Sequence, residues 1–254
     1  MFPFSSKLLR IENYFYFYQM PDRQIPYAFN PDIRYPAYLT RKALLNALTI
    51  YIPQLKGRLM DFGCGSKPYK SLFSVDEYIG VDYDSEGHPH DDEPVDVFYD
   101  GRHLPFPDQH FDAVFSTEVF EHVFNLEEIL LEINRVMKSG GRILITCPFA
   151  ICEHEEPNDY ARYTQFALRS LFEKSGFKVL QIDKTGGNIE TIMQLKITYV
   201  AKHILPVFRK IPVVRSLARL VVYSSMNLYA MVLAAILPRR KDLYLNNVLL
   251  CEKL

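Results

Sequence analysis

The sequence predicts an α/β fold in which helices cover both faces of a mostly parallel sheet. Apolar runs of strand length alternate with helical patterns through the middle of the chain, an order that is typical of parallel sheets. The 254 residues suffice for one large domain, and 48% hydrophobic with 23% charged residues indicates a globular chain. The net charge of −1 gives no general attraction to nucleic acid, so a nucleic-acid partner is not expected.

Residues 1–56 are predicted to form an N-terminal cap and a helix that leads into the sheet. Five prolines exclude a long helix from residues 1–37, and the run Tyr14–Tyr18 is interpreted as an aromatic arm packed over the core. Helical spacing of apolar residues follows from Tyr38 to Ile52, where Pro53 ends it.

A cytoplasmic location is predicted from the start of the chain and from its cysteines. The first residues lack a basic stretch followed by a long apolar run, so a signal peptide is not expected. The cysteines show neither zinc-ligand spacing nor a disulfide framework, which favours a reducing compartment; they are Cys64, Cys147, Cys152 and Cys251.

Seven strands and three further helices are predicted after this lead-in helix. The helices begin at Ser66, after Asn125 and after Thr164, and Ser139–Gly141 is expected to stop the second of them. The predicted strands occupy residues 56–60, 77–82, 95–100, 111–116, 142–147, 176–182 and 243–251.

A glycine turn follows the first strand, in the stretch Asp61-Phe62-Gly63-Cys64-Gly65. Two glycines one residue apart let the backbone turn tightly and approach a ligand, which is typical of a nucleotide cradle. Pro68 stands where a dinucleotide loop has its third glycine, so a pyrophosphate and a nicotinamide dehydrogenase are disfavoured and a nucleoside without phosphates fits better. An ordinary strand-to-helix turn is the alternative.

Polar residues end several of the predicted strands, where parallel sheets bind ligands. Asp82 lies about 20 residues after the turn, the distance at which an acid reaches ribose hydroxyls; a solvated strand-end acid is the alternative. Asp100, Ser116 and Cys147 end later strands, and Cys147 is predicted to be inert packing. The acidic, histidine-containing loop 84–93 is interpreted as solvated.

Five segments, in this order, carry a specific resemblance: Leu59–Gly65, Tyr78–Asp82, Leu104–Val114, Glu118–Val123 and Arg135–Gly141. Over about 57–148 the sequence resembles class I S-adenosylmethionine-dependent methyltransferases, especially the group with ubiquinone- and menaquinone-pathway enzymes. The resemblance implies a Rossmann-like seven-stranded sheet over 57–254 with the last strand antiparallel. It also implies methyl transfer from S-adenosylmethionine to a small-molecule, glycan or lipid-linked acceptor. A catalytically inactive binding or scaffold protein of this type is the alternative.

The resemblance also implies cofactor contacts at matching positions. Asp61, Gly63 and Gly65 would hold the methionine end, Asp82 the ribose, and Asp100 the adenine amine. Ser116 and Thr117 would face the methionine carboxylate or the substrate. The predicted cofactor site also includes their neighbours Cys64, Tyr83 and Gly101.

A divalent metal is a further, less favoured expectation. Glu118, Glu121 and His122 form a Glu-x-x-Glu-His motif that resembles the metal-binding motif of some small-RNA and ubiquinone-pathway O-methyltransferases, with His154 as a fourth ligand. The same motif is common in methyltransferases of this type without metal, which is the preferred interpretation.

The acceptor is predicted to bind the polar stretch after the fifth strand. His154, Tyr160, Arg162 and Tyr163 are the predicted catalytic and acceptor-lining residues. Part of the same stretch has a simpler explanation, because Thr164 can cap the helix that follows.

A helical insertion is predicted over about 188–241, which is too long for a hairpin loop. Thr191–Lys241 contains nine basic residues and no Asp or Glu, and Leu220–Leu237 carries no charge. A membrane span is rejected because it would put the last strand across the bilayer from its sheet. Two interpretations stay open: a lid or homodimer surface, or a basic surface at the inner face of a membrane that serves a lipid-linked acceptor.

Overall fold

The computed structural model describes residues 25–83, 93–210 and 212–254, which contain one seven-stranded sheet and five α-helices. The strands are β1 (Arg58–Phe62), β2 (Glu77–Tyr83), β3 (Val97–Tyr99), β4 (Phe111–Thr117), β5 (Met137–Pro148), β6 (Phe177–Lys184) and β7 (Asn246–Lys253). The helices are α1 (Tyr38–Tyr51), α2 (Leu126–Val136), α3 (Gln165–Lys174), α4 (Asn188–Tyr199) and α5 (Pro212–Ile236).

The strand order is β3-β2-β1-β4-β5-β7-β6. Strands β1 to β5 pair in parallel, whereas β7 is antiparallel to both β5 and β6. The predicted fold class is therefore confirmed, including its antiparallel last strand. The order reverses between β1 and β4, where a crevice opens beyond the carboxyl ends of the strands.

Each face of the sheet has its own buried cluster. Helices α2 and α3 place Ile129, Ile133 and Phe172 on one face, where all three side chains are fully buried. On the other face, α1 packs Leu44 and Leu48 against the strands. The helical spacing of apolar residues in α1 and α2 therefore marks one buried stripe on each helix.

The helix predicted at Ser66 is wrong. Between β1 and β2 the chain forms only a 3₁₀ turn over Lys70–Leu72. Lys67 has a φ of +52°, a left-handed conformation that interrupts any right-handed helix begun one residue earlier.

The chain between α2 and β5 also differs from the prediction. Helix α2 ends at Val136 and β5 begins directly at Met137, so the predicted stop at Ser139–Gly141 lies inside the strand. The pairing with β4 is irregular there, since it passes from Met137 to Arg142. The aromatic arm at Tyr14–Tyr18 and the loop over residues 84–92 lie outside the described residues.

Residues 188–236 are largely helical and are anchored at the edge of the sheet. A π-helical turn and a 3₁₀ segment connect α4 to α5. The two ends of this insertion meet, because Asn188 N donates to the Arg240 carbonyl at 2.9 Å and Lys184 Nζ donates to the Lys241 carbonyl at 2.8 Å. The division of the chain into a cap, a domain and an insertion stays a prediction.

Candidate active site

The glycine turn after β1 is fixed by hydrogen bonds to the end of β2. Gly63 N donates to the Val81 carbonyl at 2.8 Å, and Gly65 N donates to the Asp82 carboxylate at 2.8 Å. Gly63 has a φ of +72°, and a Cβ added there would lie 2.3 Å from a methyl carbon of Val119. Both the backbone conformation and the available space therefore require glycine at this position.

Asp61 lies beneath the turn, near the end of β1. Its side chain is buried and accepts a hydrogen bond from the Tyr78 hydroxyl. Burial, with a smaller contribution from the charge of Asp82, raises the pKa of Asp61 to about 7. A buried carboxyl of this kind gains from a cationic partner, and its contact with the methionine end of the cofactor stays a prediction.

An ion pair that the sequence analysis missed holds the far side of the turn. Lys67 Nζ lies 2.6 Å from Asp96 Oδ2, and the same carboxylate oxygen accepts a hydrogen bond from Gly80 N at 2.6 Å. The Lys67 side chain is 5% exposed and that of Asp96 is 46% exposed, so a half-exposed pair connects the turn to β2. No motif indicates it, because the two charged residues are separated by the whole of β2.

The predicted adenine contacts lie at the ends of β2 and β3. The Asp100 carboxylate accepts hydrogen bonds from Arg102 N at 2.8 Å and His103 N at 2.6 Å, and its side chain is 65% exposed. Gly101 has a φ of +82°, and a Cβ there would touch the ring of Tyr83. The structure places these residues on one edge of the crevice, and their contact with adenine stays a prediction.

A buried polar chain begins at the end of β4. Ser116 Oγ has no hydrogen-bond partner among the described residues, and Thr117 Oγ1 lies 2.7 Å from Thr146 Oγ1. The Thr146 hydroxyl donates to one oxygen of Glu118 at 2.8 Å, and the Asn246 amide donates to the other at 2.5 Å. Both oxygens of Glu118 are thus engaged within the protein, and burial raises its pKa to about 7.

Glu121, His122 and His154 form a compact group, with one candidate ligand atom from each within 4.8 Å of the others. Glu121 Oε1 lies 3.7 Å from His122 Nε2 and 4.0 Å from His154 Nε2. This buried oxygen has no hydrogen-bond partner in the described part of the chain. Burial, followed by the charge of Glu118, raises the pKa of Glu121 well above its usual value. The group therefore includes His154 but not Glu118.

Both imidazoles in this group use their Nδ1 atoms elsewhere. His122 Nδ1 lies 2.8 Å from the Asn158 carbonyl. His154 Nδ1 lies 3.2 Å from the Cys152 carbonyl and 3.3 Å from the Asp159 carboxylate. The two Nε2 atoms face the buried carboxyl group of Glu121, and His122 Nε2 also lies 3.6 Å from Glu155 Oε2.

The loop after β5 brings together two of the four predicted acceptor residues. The Arg162 guanidinium contacts both oxygens of Asp159, at 2.5 and 2.6 Å, and Arg162 Nη2 lies 3.5 Å from His154 Nδ1. Asp159 has a 3% exposed side chain, and its hydrogen bonds to Arg162 lower its pKa to about 2. Asp159 therefore positions both partners, although the sequence analysis did not select it.

The two predicted tyrosines differ in their surroundings. Tyr160 is 47% exposed, and its ring contacts Phe124 edge-on at 5.4 Å. Tyr163 packs against the core, and its carbonyl accepts a hydrogen bond from the Asn247 amide at 2.8 Å. The exposed Tyr160 ring can contact an acceptor, whereas Tyr163 supports the loop.

Two neighbouring asparagines of β7 complete the site, and the sequence analysis missed both. Asn246 and Asn247 are fully buried and bond to Glu118 and Tyr163, respectively. Buried amides require partners, so two adjacent asparagines inside an apolar strand were a usable signal.

The buried cysteines of the site show no sign of nucleophilic activation. Burial raises the pKa values of the Cys64 and Cys147 thiols, which disfavours the thiolate that a nucleophile needs. These positions agree with the predicted packing role of Cys147.

Comparisons with known proteins agree with this architecture. Residues 60–145 match the sequence profile of a family described as a methyltransferase domain. The demethylmenaquinone methyltransferase of Tropheryma whipplei is 35% identical over 68 residues, which are 27% of this chain and 28% of that protein. The chain spans half, or less, of the length of the curated relatives that it matches.

Two solved structures share the fold. A crystal structure of an S-adenosylmethionine-dependent methyltransferase from Mesorhizobium loti has 12% identity and a TM-score of 0.51, over 83% of this chain and 98% of that one. The crystal structure of the 4+2 cyclase SpnF has 20% identity and a TM-score of 0.52, over 87% and 85% of the two chains. At these identities the likeness concerns the fold alone.

The profile match runs from β1 to β5 and so covers the glycine turn and the strand ends that form the crevice. The resemblance to class I S-adenosylmethionine-dependent methyltransferases is confirmed over residues 60–145, which match the methyltransferase domain profile.

Proposed function

We propose that the protein transfers a methyl group from S-adenosylmethionine to an acceptor bound beside the loop after β5. The observation that carries this proposal is the convergence of the glycine turn, Asp61 and Asp82 at the point where the strand order reverses. Asp82 accepts hydrogen bonds from Gly65 N and Tyr83 N, which hold its carboxylate at the end of β2, where the proposed ribose contact would form. Asp61 offers a buried carboxyl to the amino group of the cofactor.

Orientation is the main contribution required of the protein. S-adenosylmethionine, when bound, supplies a methyl group on a positively charged sulfur with a good leaving group. The chain must therefore align the acceptor with that methyl group and exclude water. A base is needed only where the acceptor loses a proton.

The acceptor is proposed to be a small molecule, a glycan or a lipid-linked molecule. The loop that would contact it offers the exposed Tyr160 ring, which suits an acceptor with a planar or sugar surface. A reducing, cytoplasmic environment fits the four free cysteines of the described chain.

The cofactor proposal is tested with Asp82→Ala and isothermal calorimetry. A hydrogen bond to a charged group contributes roughly 1.5–3 kcal/mol, so the affinity for S-adenosylmethionine should fall about tenfold or more. Asp76→Ala, on the exposed turn before β2, is the matched control and should bind like the wild type. Unchanged affinity in Asp82→Ala would remove this residue from the site.

Turnover is tested separately by incubating the wild type with S-adenosylmethionine and pools of small-molecule, glycan and lipid-linked acceptors. Release of S-adenosylhomocysteine that depends on one pool supports a methyltransferase and identifies its acceptor class. Cofactor binding without release in any pool would favour the inactive binding protein.

We also propose that Glu121, His122 and His154 bind a divalent transition-metal ion. The supporting observation is that both Nε2 atoms face one buried carboxylate oxygen, while carbonyls and Asp159 hold both Nδ1 atoms. Two imidazoles and a carboxylate suit Zn²⁺, Fe²⁺ or Mn²⁺, and the Nδ1 acceptors are the outer partners that such ligands use.

Calorimetry with Zn²⁺ and Mn²⁺ alone tests the metal proposal. The wild type should bind one ion, and His122→Ala should lose at least about tenfold in affinity. His103→Ala, on an exposed turn, is the control and should bind normally. Equal metal affinity in all three proteins would contradict the proposal.

A further inference from the structure

Helix α5 exposes an apolar stripe along its whole length. Val213, Leu217, Val221, Leu228 and Ile236 are between 55% and 79% exposed. With the half-exposed Val232 included, neighbouring members are four or seven residues apart, which places all six on one side of the helix. A stripe this long on a globular protein marks an interaction surface.

The opposite side of α5 is packed on the domain, which fixes the direction of the stripe. Tyr223 and Ala230 are buried in a cluster with Leu39 of α1 and Ile197 of α4. Asn227 is fully buried, and its amide donates to the carbonyls of Ile33 and Tyr35 at 2.9 and 3.1 Å. The apolar stripe therefore points away from the protein.

Basic residues surround the stripe, and acidic residues are absent from the same segment. Thr191–Lys241 contains nine Lys and Arg residues and no Asp or Glu. Exposed basic residues flank the stripe in the sequence: Lys196, Lys202 and Lys210 precede α5, Arg219 lies in its first third, and Arg239, Arg240 and Lys241 follow it. An apolar stripe between basic ends complements a surface that combines negative headgroups with apolar chains.

The anchoring of the insertion excludes a helix that crosses a bilayer. In the described part of the chain, one helix is long and apolar enough to span, over Ser216–Ile236. The two ends of the insertion that contains this helix are joined at the sheet edge, where Asn188 N bonds to the Arg240 carbonyl and Leu243 N bonds to the Asn188 side chain. A single crossing would separate these flanks by about 30 Å.

We infer that the outward face of α5 lies on an anionic membrane surface. In this arrangement the valine and leucine side chains enter the boundary between headgroups and acyl chains, and the basic ends contact the headgroups. The helix keeps its packed side on the domain, so binding requires no unfolding of the insertion.

The same insertion touches the loop of the candidate acceptor site. Lys202 Nζ lies 3.5 Å from the carbonyl of Glu153, the residue before His154. A membrane under α5 would therefore bring lipid-linked molecules close to that loop. This consequence rests on the proposed function, whereas membrane binding itself does not.

Flotation with lipid vesicles tests the inference on the full chain. The wild type should bind vesicles of phosphatidylcholine with about one third phosphatidylglycerol at low salt, and binding should fall steeply with added salt. It should bind pure phosphatidylcholine vesicles far more weakly. Absence of binding to the anionic vesicles at low salt would overturn the inference.

The electrostatic contribution to vesicle binding is tested by removing basic charges. The triple change Lys196→Gln, Lys210→Gln and Arg219→Gln should weaken vesicle binding roughly a hundredfold, since each basic residue near an anionic bilayer contributes about fivefold. The control, with the same loss of charge in exposed lysines elsewhere, is Lys56→Gln, Lys174→Gln and Lys178→Gln, and it should change binding much less. Equal losses of vesicle binding in both triple variants would overturn the inference that the basic residues of the insertion form the membrane-binding surface.

The stripe itself is tested with Val221→Ser, Leu228→Ser and Val232→Ser together. This variant should lose at least tenfold in vesicle binding, whereas Leu131→Ser on the exposed side of α2 should lose none. Both should keep the wild-type circular dichroism spectrum and the wild-type affinity for S-adenosylmethionine. A wild-type dimer in light scattering that the stripe variant alone abolishes, without any loss of vesicle binding, would instead assign the face to a second copy of the chain.

Discussion

The two halves of the candidate site are held together in different ways. In the cofactor half, backbone N–H groups of the glycine turn bond to the end of the neighbouring strand, and Gly65 and Asp82 are only 17 residues apart. In the acceptor half, buried side chains bond across the fold, and the Glu118 and Asn246 side chains are 128 residues apart. The first half therefore depends on local backbone shape, whereas the second depends on the completed sheet.

The largest expected effect tests the backbone dependence of the cofactor half. Gly63→Ala would place a methyl group against Val119 in a left-handed conformation, so the turn must move. We expect the affinity for S-adenosylmethionine, measured by calorimetry, to fall about a hundredfold or more.

Gly140→Ala is the matched control for that substitution. Gly140 has a φ of +75°, close to that of Gly63, but a Cβ there meets no heavy atom within 4 Å. It should lose only about 1–2 kcal/mol of stability from backbone strain and keep its cofactor affinity. Similar affinity losses in both variants would show that strain, and not the shape of the turn, controls binding.

The second prediction uses the proton of Asp61. The pKa of this carboxyl is about 7 in the folded chain and 3.8 in its ordinary state, so the folded protein holds the proton more tightly. Its contribution to stability is complete below about pH 4 and is lost as the pH rises through about 7. The free energy of unfolding, measured with urea, should fall as the pH rises across this range, and it should fall less in Asp61→Asn.

The amide of Asn can still accept the hydrogen bond of Tyr78, so this comparison isolates the charge. Asp76→Asn, on the exposed turn before β2, should keep the wild-type pH dependence. If the free energy of unfolding depended on pH in the same way in the wild type and in Asp61→Asn, ionisation of this carboxyl would not destabilise the folded protein.

The smallest expected effect belongs to the acceptor half. Asp159→Asn removes the charge that holds Arg162 and His154, and it should lower the unfolding free energy by about 2 kcal/mol at pH 7. Cofactor affinity should stay within about twofold, because Asp159 lies outside the glycine turn. A large loss of cofactor affinity would show that the two halves are coupled.

The same contrast explains what the sequence could predict. Asp61, Gly63 and Asp82 stand at strand ends and in a turn. Strand ends can be predicted from the sequence, because apolar runs mark the strands. The site predictions for these residues remain untested, but the structure places them in one crevice. The roles of Asp159 and Asn246 follow from contacts between distant elements, which no local pattern encodes.

The missing helix after the turn has a related cause. Ser66 and Pro68 are acceptable at a helix start, so the local pattern predicted one. The intervening Lys67 takes a left-handed conformation and directs its side chain to Asp96, on the far side of β2. A tertiary ion pair therefore accompanies a backbone conformation that local preference disfavours.

The position of β7 sets an order for the assembly of the molecule. Among the described strands, β6 has β7 as its only neighbour in the sheet, and about sixty residues separate the two along the chain. Pairings over such distances close late, so β6 and the asparagines of β7 should join the structure after β1 to β5. In a refolding chain the cofactor turn would then form before the acceptor network. Pulsed hydrogen exchange should show that the amides of β1 and β4 become protected earlier than those of β6.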